Sequence, residues 1–106
     1  MIDVLEQLEE TIRSHREADP STSYVASLST QGRAKMAEKL GEEAVEAVIA
    51  AIQDDRKAMI GEAADLLFHL LVLLADMDLS IDDILKELSR REGVSGLDEK
   101  AARGAS

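Results

Sequence analysis

The sequence predicts an all-α protein: four helices, with a long antiparallel pair at the centre. Three observations point there. The chain is 45% hydrophobic yet has one tyrosine, one phenylalanine and no tryptophan. Leu, Ala, Ile, Val and Met must therefore fill the core, which suits helix-on-helix packing better than a β-sandwich. Apolar residues also recur three and four apart along several segments, the spacing of one helix face. Finally, the run LLFHLLVLLA, residues 66–75, is apolar on nearly every side, as a helix is when others surround it.

Each element has its own pattern. Residues 2 to about 17 place Ile2, Leu5, Leu8 and Ile12 at helical spacing, with Glu and Arg between them. The stretch ADPSTS, 18–23, holds the only proline and reads as a loop. SYVASLSTQG, 23–32, has β-branched and turn residues without a clear period, and reads as either extended or a short turn. From about 33 to 53 the helical pattern returns, with Met36, Leu40, Ala44, Val48 and Ala51 expected to face the core. QDD, 53–55, is a short polar connection in which either aspartate can cap the next helix. That third helix, about 56–77, is the apolar one. In a chain of 106 residues a partner subunit helps to surround such a helix, so a homodimeric helical bundle is expected. Ser80 caps the fourth helix, with Asp82 and Asp83 in its first turn, where the helix dipole favours them. Residues 1–94 are expected to form a single domain, and 95–106 a polar tail that is mobile unless a partner or ligand orders it.

Charge narrows the function. With 22 acidic and 12 basic residues the formal charge is −10. Such a surface repels nucleic-acid backbones and anionic membranes, and favours cations or anions that arrive with a metal. The chain has no cysteine, which excludes disulfides and thiolate metal sites. MIDVLEQLEE lacks the basic-then-apolar order of a leader peptide. The longest apolar run is too short to cross a bilayer. A soluble, cytoplasmic protein is expected.

The carboxylates carry the chemistry. In KLGEEAVEAVIAAI, residues 39–52, Glu42 and Glu46 lie four apart and Glu43 and Glu46 three apart, with Lys39 four before Glu43. On the next helix Glu62, Asp65, His69 and Asp76 succeed one another at spacings of three, four and seven, one narrow polar stripe along an apolar helix. A dry, unpaired charge there costs several kcal/mol or more, so Glu62 and Asp65 need a cation, a wet cleft or a surface position. The short connection makes the two helices antiparallel neighbours. Glu46 and the Glu62/Asp65 pair then lie at matching depth, and up to five carboxylates can converge. Sites built from oxygen alone suit hard cations, Mg²⁺ or Mn²⁺, of the kind that assist phosphoryl hydrolysis. His69 reads as a core histidine hydrogen-bonded to a neighbour, and Asp76 as a surface group or local turn partner. Glu6, Glu9, Glu10, Asp82, Asp83 and Glu87 read as solvated faces.

KLGEEAVEAVIAA with EAADLLFHLLVLLA after it resembles the phosphoribosyl-ATP pyrophosphatase family of histidine biosynthesis, within the all-α nucleotide pyrophosphatases of the MazG type. EExxE with ExxD marks that superfamily, here Glu42, Glu43, Glu46, Glu62 and Asp65. SYVASL, LSIDDILKEL and SGLDEKAAR extend the likeness over nearly the whole chain. Phe68 and Gly61 depart from the usual pattern without touching these carboxylates. The resemblance implies a MazG-like four-helix fold and a homodimeric, Mg²⁺-dependent hydrolase, with Mn²⁺ as a possible substitute. Its substrate would be a small nucleotide, phosphoribosyl-ATP, cleaved to phosphoribosyl-AMP and pyrophosphate. Glu42 or Glu43, with Glu46, Glu62 and Asp65, would hold metal, and a carboxylate outside the metal's shell could act as general base. Glu43, Glu46, Glu62 and Asp65 are the catalytic candidates. Lys39 could contact phosphate, or else pair with Glu43; Arg33, Lys35, Arg56 and Lys57 are weaker phosphate candidates. A pyrophosphatase acting on free or modified nucleoside triphosphates is the alternative. A di-iron bundle needs Glu-x-x-His, and neither His15 nor His69 comes three residues after a glutamate. A non-catalytic acidic dimerisation module would tolerate loss of Glu46 and Glu62.

Overall fold

The computed structural model describes residues 3–93 and 96–103, apart from the side chains of Glu99 and Ala102. Among these residues there are six helices and no strand: α1 (Val4–His15), α2 (Tyr24–Gln31), α3 (Arg33–Ile52), α4 (Arg56–Asp76), α5 (Ile81–Arg90) and α6 (Gly96–Arg103). The four expected helices are α1, α3, α4 and α5. The other two are additions. SYVASLSTQG is helical because Ser23 accepts the Ala26 N–H and caps α2, burying Val25, Ala26 and Leu28. Part of the expected mobile tail is α6, whereas 94–95, 104–106 and the start of the first expected helix at Ile2 lie outside the described residues.

Gly32 is the joint between α2 and α3. Its N–H closes α2 on the Leu28 carbonyl, and its φ of 97° with ψ of 171° opens α3. That backbone conformation is essentially restricted to glycine. At the other end of α3, Asp54 takes φ 53°, which a short polar side chain tolerates. Asp55 then accepts the Ala58 N–H and caps α4. α3 and α4 consequently run back to back as the central antiparallel hairpin.

The core gathers at one end of this hairpin. Ile12, Val25, Leu28, Met36, Leu71, Val72, Leu74, Ala75 and Ile81 form it, with Leu5, Leu8, Phe68, Leu70, Leu73 and Ile84 packed around them. These residues come from α1 to α5, so the start of α3 and the end of α4 are enclosed. The far half of the hairpin is not. Val45, Val48, Ile49, Ile52 and Ile60 are exposed, Val48 at 60% and Ile52 at 83%. This corrects the expected inner face of α3. Met36 is buried, but the other buried positions are Ala47 and Ala50; Leu40 and Ala44 are half-buried, and Val48 and Ala51 are exposed. Residues 44, 45 and 47–52 are all apolar, so periodicity alone could not say which side met α4.

α4 has 21 residues, and an 18-residue stretch of it has a mean hydropathy of 1.8, long and apolar enough by composition to cross a membrane. Its buried side chains, His69, Leu71, Val72, Leu74 and Ala75, lie in the enclosed half of the hairpin, among elements of α1 to α3. The helix ends in a polar clasp. Asp76 bonds Arg16, the residue after α1, at 3.2 Å and Arg33 of α3 at 2.7 Å. Arg16 also donates to the Ala75 carbonyl and Arg33 to that of Asp76. Guanidinium groups thus meet the carbonyls that a helix end leaves without partners. Asp76, expected as a surface group or local turn partner, instead joins three helices. Glu9 also departs from its expected solvated role, because its Oε2 accepts the Ile81 N–H at 2.6 Å, at the start of α5. Ser80 and Asp83 form the capping box there, in keeping with the cap expected at Ser80.

Candidate functional site

The hairpin register determines which carboxylates meet. Counting from Asp54, Glu46 and Glu62 each stand eight residues away, and Glu43 and Asp65 each eleven. In an antiparallel pair, positions equidistant from the turn lie at the same level. Carboxylate oxygens of Glu43, Glu62 and Asp65 accordingly lie within 4.8 Å of one another. The group sits where the enclosed half of the hairpin gives way to the bare one, with Glu43 and Glu62 half-buried and Asp65 exposed.

Two carboxylate oxygens of these residues have no partner. Glu43 Oε2 and Glu62 Oε2 are both buried and accept no hydrogen bond. Ionised carboxylates only accept, so they cannot satisfy one another. The electrostatics agree. The facing Glu46 carboxylate, then burial, then Glu43 push Glu62 from its usual 4.5 up to about 7. Burial raises Glu43 as well, with Glu46 and Asp65 adding to it and the approach of Glu62 opposing. Like charges at close range favour one shared proton, or a cation in its place. Two orphaned buried oxygens within an oxygen-only group fit a divalent hard cation. A family model described as phosphoribosyl-ATP pyrophosphohydrolase matches residues 5–92. The chain belongs to this family.

Similar members of the pyrophosphohydrolase family span nearly the whole chain. A phosphoribosyl-ATP pyrophosphatase of Rhizorhabdus wittichii is 63% identical over 97% of each chain. Those of Erythrobacter litoralis and Novosphingobium aromaticivorans are 57% and 55% identical, over 97% and 95% of this chain and 99% and 94% of theirs.

The other expected site residues surround this group. Glu46 is exposed and faces Glu62 from just outside the tight cluster. Glu42 is exposed and paired with Lys39 at 3.5 Å, so Lys39 joins Glu42, three residues on, rather than Glu43. That pairing, together with Tyr24, raises the Lys39 pKa. Arg33 is held by Asp76 and Lys35 by Glu38 at 3.0 Å. Arg56 pairs with Asp54 at the hairpin tip, and Lys57 is its exposed neighbour. Of the basic candidates, Lys39 therefore stands nearest the carboxylates in sequence and in its pairing.

The sequence places Tyr24 only within the 20–31 segment, one expected wall of the base and ribose pocket, and gives no sign of its tie to His69. The Tyr24 hydroxyl lies 3.0 Å from His69 Nε2, and His69 Nδ1 lies 2.9 Å from the Asp65 carbonyl. His69 is thus a buried, satisfied histidine, as expected. Its partner stands 45 residues away, and no local spacing links the two.

Proposed function

We propose that this chain hydrolyses phosphoribosyl-ATP between its α and β phosphates, releasing phosphoribosyl-AMP and pyrophosphate, the second step of histidine biosynthesis. The observation that carries the reading is the Glu43, Glu62 and Asp65 group with its two buried, unpartnered oxygens, in a chain of this family.

Glu43, Glu62 and Asp65 would hold Mg²⁺, for which Mn²⁺ can substitute. The bound ion supplies charge neutralisation for the triphosphate and acidity for a coordinated water. Glu46, outside the tight group yet facing Glu62, is placed to take the water's proton on its carboxylate. Glu42, exposed, holds Lys39 beside the group, where the ammonium can meet a phosphate oxygen. The −10 charge is then compatible with a polyanionic substrate, because the cation comes between them.

The same reading has the enzyme act in the cytoplasm as a homodimer. A second copy is the occupant that suits the bare apolar side of the hairpin, Val45, Val48, Ile49, Ile52, Met59 and Ile60. Each such side chain contributes about 1.5–3 kcal/mol when fully buried.

The test is pyrophosphate release, with and without Mg²⁺, from phosphoribosyl-ATP and from a panel of NTPs and dNTPs. Metal-dependent turnover that is fastest on phosphoribosyl-ATP is the expected result. Faster turnover of the ordinary nucleotides would reassign the substrate, and no turnover of any would overturn the reading.

A further inference from the structure

Tyr24 and Phe68 are the chain's only tyrosine and phenylalanine, and they stack at a centroid distance of 6.0 Å. His69 meets both rings edge-on, at 5.8 and 5.2 Å. The hydrogen bonds of this trio have a direction. The Asp65 carbonyl can only accept, so His69 Nδ1 carries a proton. A ring that carries its proton on Nδ1 alone leaves Nε2 bare to accept, and Tyr24 then spends its single O–H on His69. The phenol oxygen keeps its lone pairs and has no proton left to offer. Tyr24 is 49% exposed and, after Glu42, contributes to raising the Lys39 pKa.

We infer that Tyr24 is a specificity-determining residue, whose oxygen, kept as an acceptor by His69, takes a hydrogen bond from a hydroxyl of the sugar next to the triphosphate. The inference rests on the proposed phosphate site. Position argues for the sugar rather than the base. His69 stands one helical turn, about 6 Å, along α4 from Asp65, and Tyr24 lies one hydrogen bond further. With phosphates at the carboxylates and Lys39, the donors at that remove are the hydroxyls of the sugar joined to the α phosphate; the base lies beyond the sugar ring. His69 acts through Tyr24, as a positioning residue.

The experiment is steady-state kinetics with Mg²⁺ on the full chain, using phosphoribosyl-ATP and its 2′-deoxy and 3′-deoxy forms. Tyr24→Phe keeps the ring and removes the acceptor. It should raise KM about tenfold, the weight of one hydrogen bond, with kcat within about twofold and the Mg²⁺-induced rise in Tm unchanged. On one of the two deoxy forms the wild type and Tyr24→Phe should share one KM. His69→Gln, which retains an acceptor, should restore KM towards the wild-type value relative to His69→Leu. An unchanged KM in Tyr24→Phe overturns the inference, as does a tenfold difference that persists on both deoxy forms. Loss of the Mg²⁺ response in Tyr24→Phe would make the residue structural instead. If the wild type prefers an ordinary NTP, the proposed substrate fails, and the same comparison is read on that nucleotide and its deoxy forms.

Discussion

Arg33 Nε lies 2.7 Å from Asp76 Oδ2, tying the first residue of α3 to the last residue of α4. Arg16 reaches the other Asp76 oxygen at 3.2 Å from the residue after α1. One carboxylate, 19% exposed, therefore locks the end of the hairpin opposite its turn.

Asp76→Ala should lower stability by about 1–2 kcal/mol, since partly exposed charged hydrogen bonds are lost and two guanidinium groups keep only their carbonyl partners. Thermal unfolding reads this as a fall in Tm. The Mg²⁺ response should survive, because the carboxylate group lies further along the hairpin. Loss of that response would show that the clasp sets the site's register.

Glu62→Gln should do two opposite things. It removes one of several crowded negative charges, so the metal-free protein should melt at a higher temperature at about pH 8. It also removes a proposed ligand, so pyrophosphate release should fall by more than the roughly 10–100-fold that loss of an outer-shell metal partner costs. Calorimetry and turnover on one preparation check both; a drop in Tm at that pH would contradict the repulsion argument.

The pH dependence has a definite sign. Glu62's folded pKa, about 7, stands above its usual 4.5. The folded chain therefore binds this proton more tightly than the unfolded one. The stabilisation from Glu62 is fully present below about 4.5 and is lost as pH rises through about 7. Without metal, Tm should fall across that window; Glu43, raised in the same sense, adds to the slope. Mg²⁺ competes with the same proton, so its apparent affinity should tighten from about pH 6 to about pH 8. Titration calorimetry in two buffers of different ionisation heat would show the released proton.

Val48→Asp should convert the proposed homodimer to monomer, read as a halved mass by light scattering. Val48 is 60% exposed in the single chain, so the substitution should leave the helical CD spectrum intact. A wild type that already runs as a monomer would remove the second copy from the account.

The site is more legible in the sequence than the packing around it. Glu43, Glu62 and Asp65 can be brought together from two spacings and a three-residue connection, because rigid helices carry register across a short turn. Glu42 shares the motif but turns to Lys39, a choice of rotamer that spacing cannot express. The inner face of α3 misleads at Val48 because the run from 47 to 52 is apolar all round. α2 is ambiguous because Tyr, Val, Ser and Thr carry little helical signal, and its helix depends on one Ser23 cap and on burial against distant residues. The Asp76 clasp and the Tyr24–His69 contact join positions 45 and 60 residues apart. Such pairings belong to the tertiary fold, which local pattern does not encode.

The protein's poverty in aromatic side chains has a practical side. With no tryptophan, all near-ultraviolet emission of consequence comes from Tyr24, the residue hydrogen-bonded to His69 beside the carboxylates. The protein therefore carries a single built-in fluorophore at its own threshold. Phenol emission responds to hydrogen bonding and to a stacked neighbour, so nucleotide binding at the proposed site is expected to change this emission, a signal that stopped flow can follow without a label.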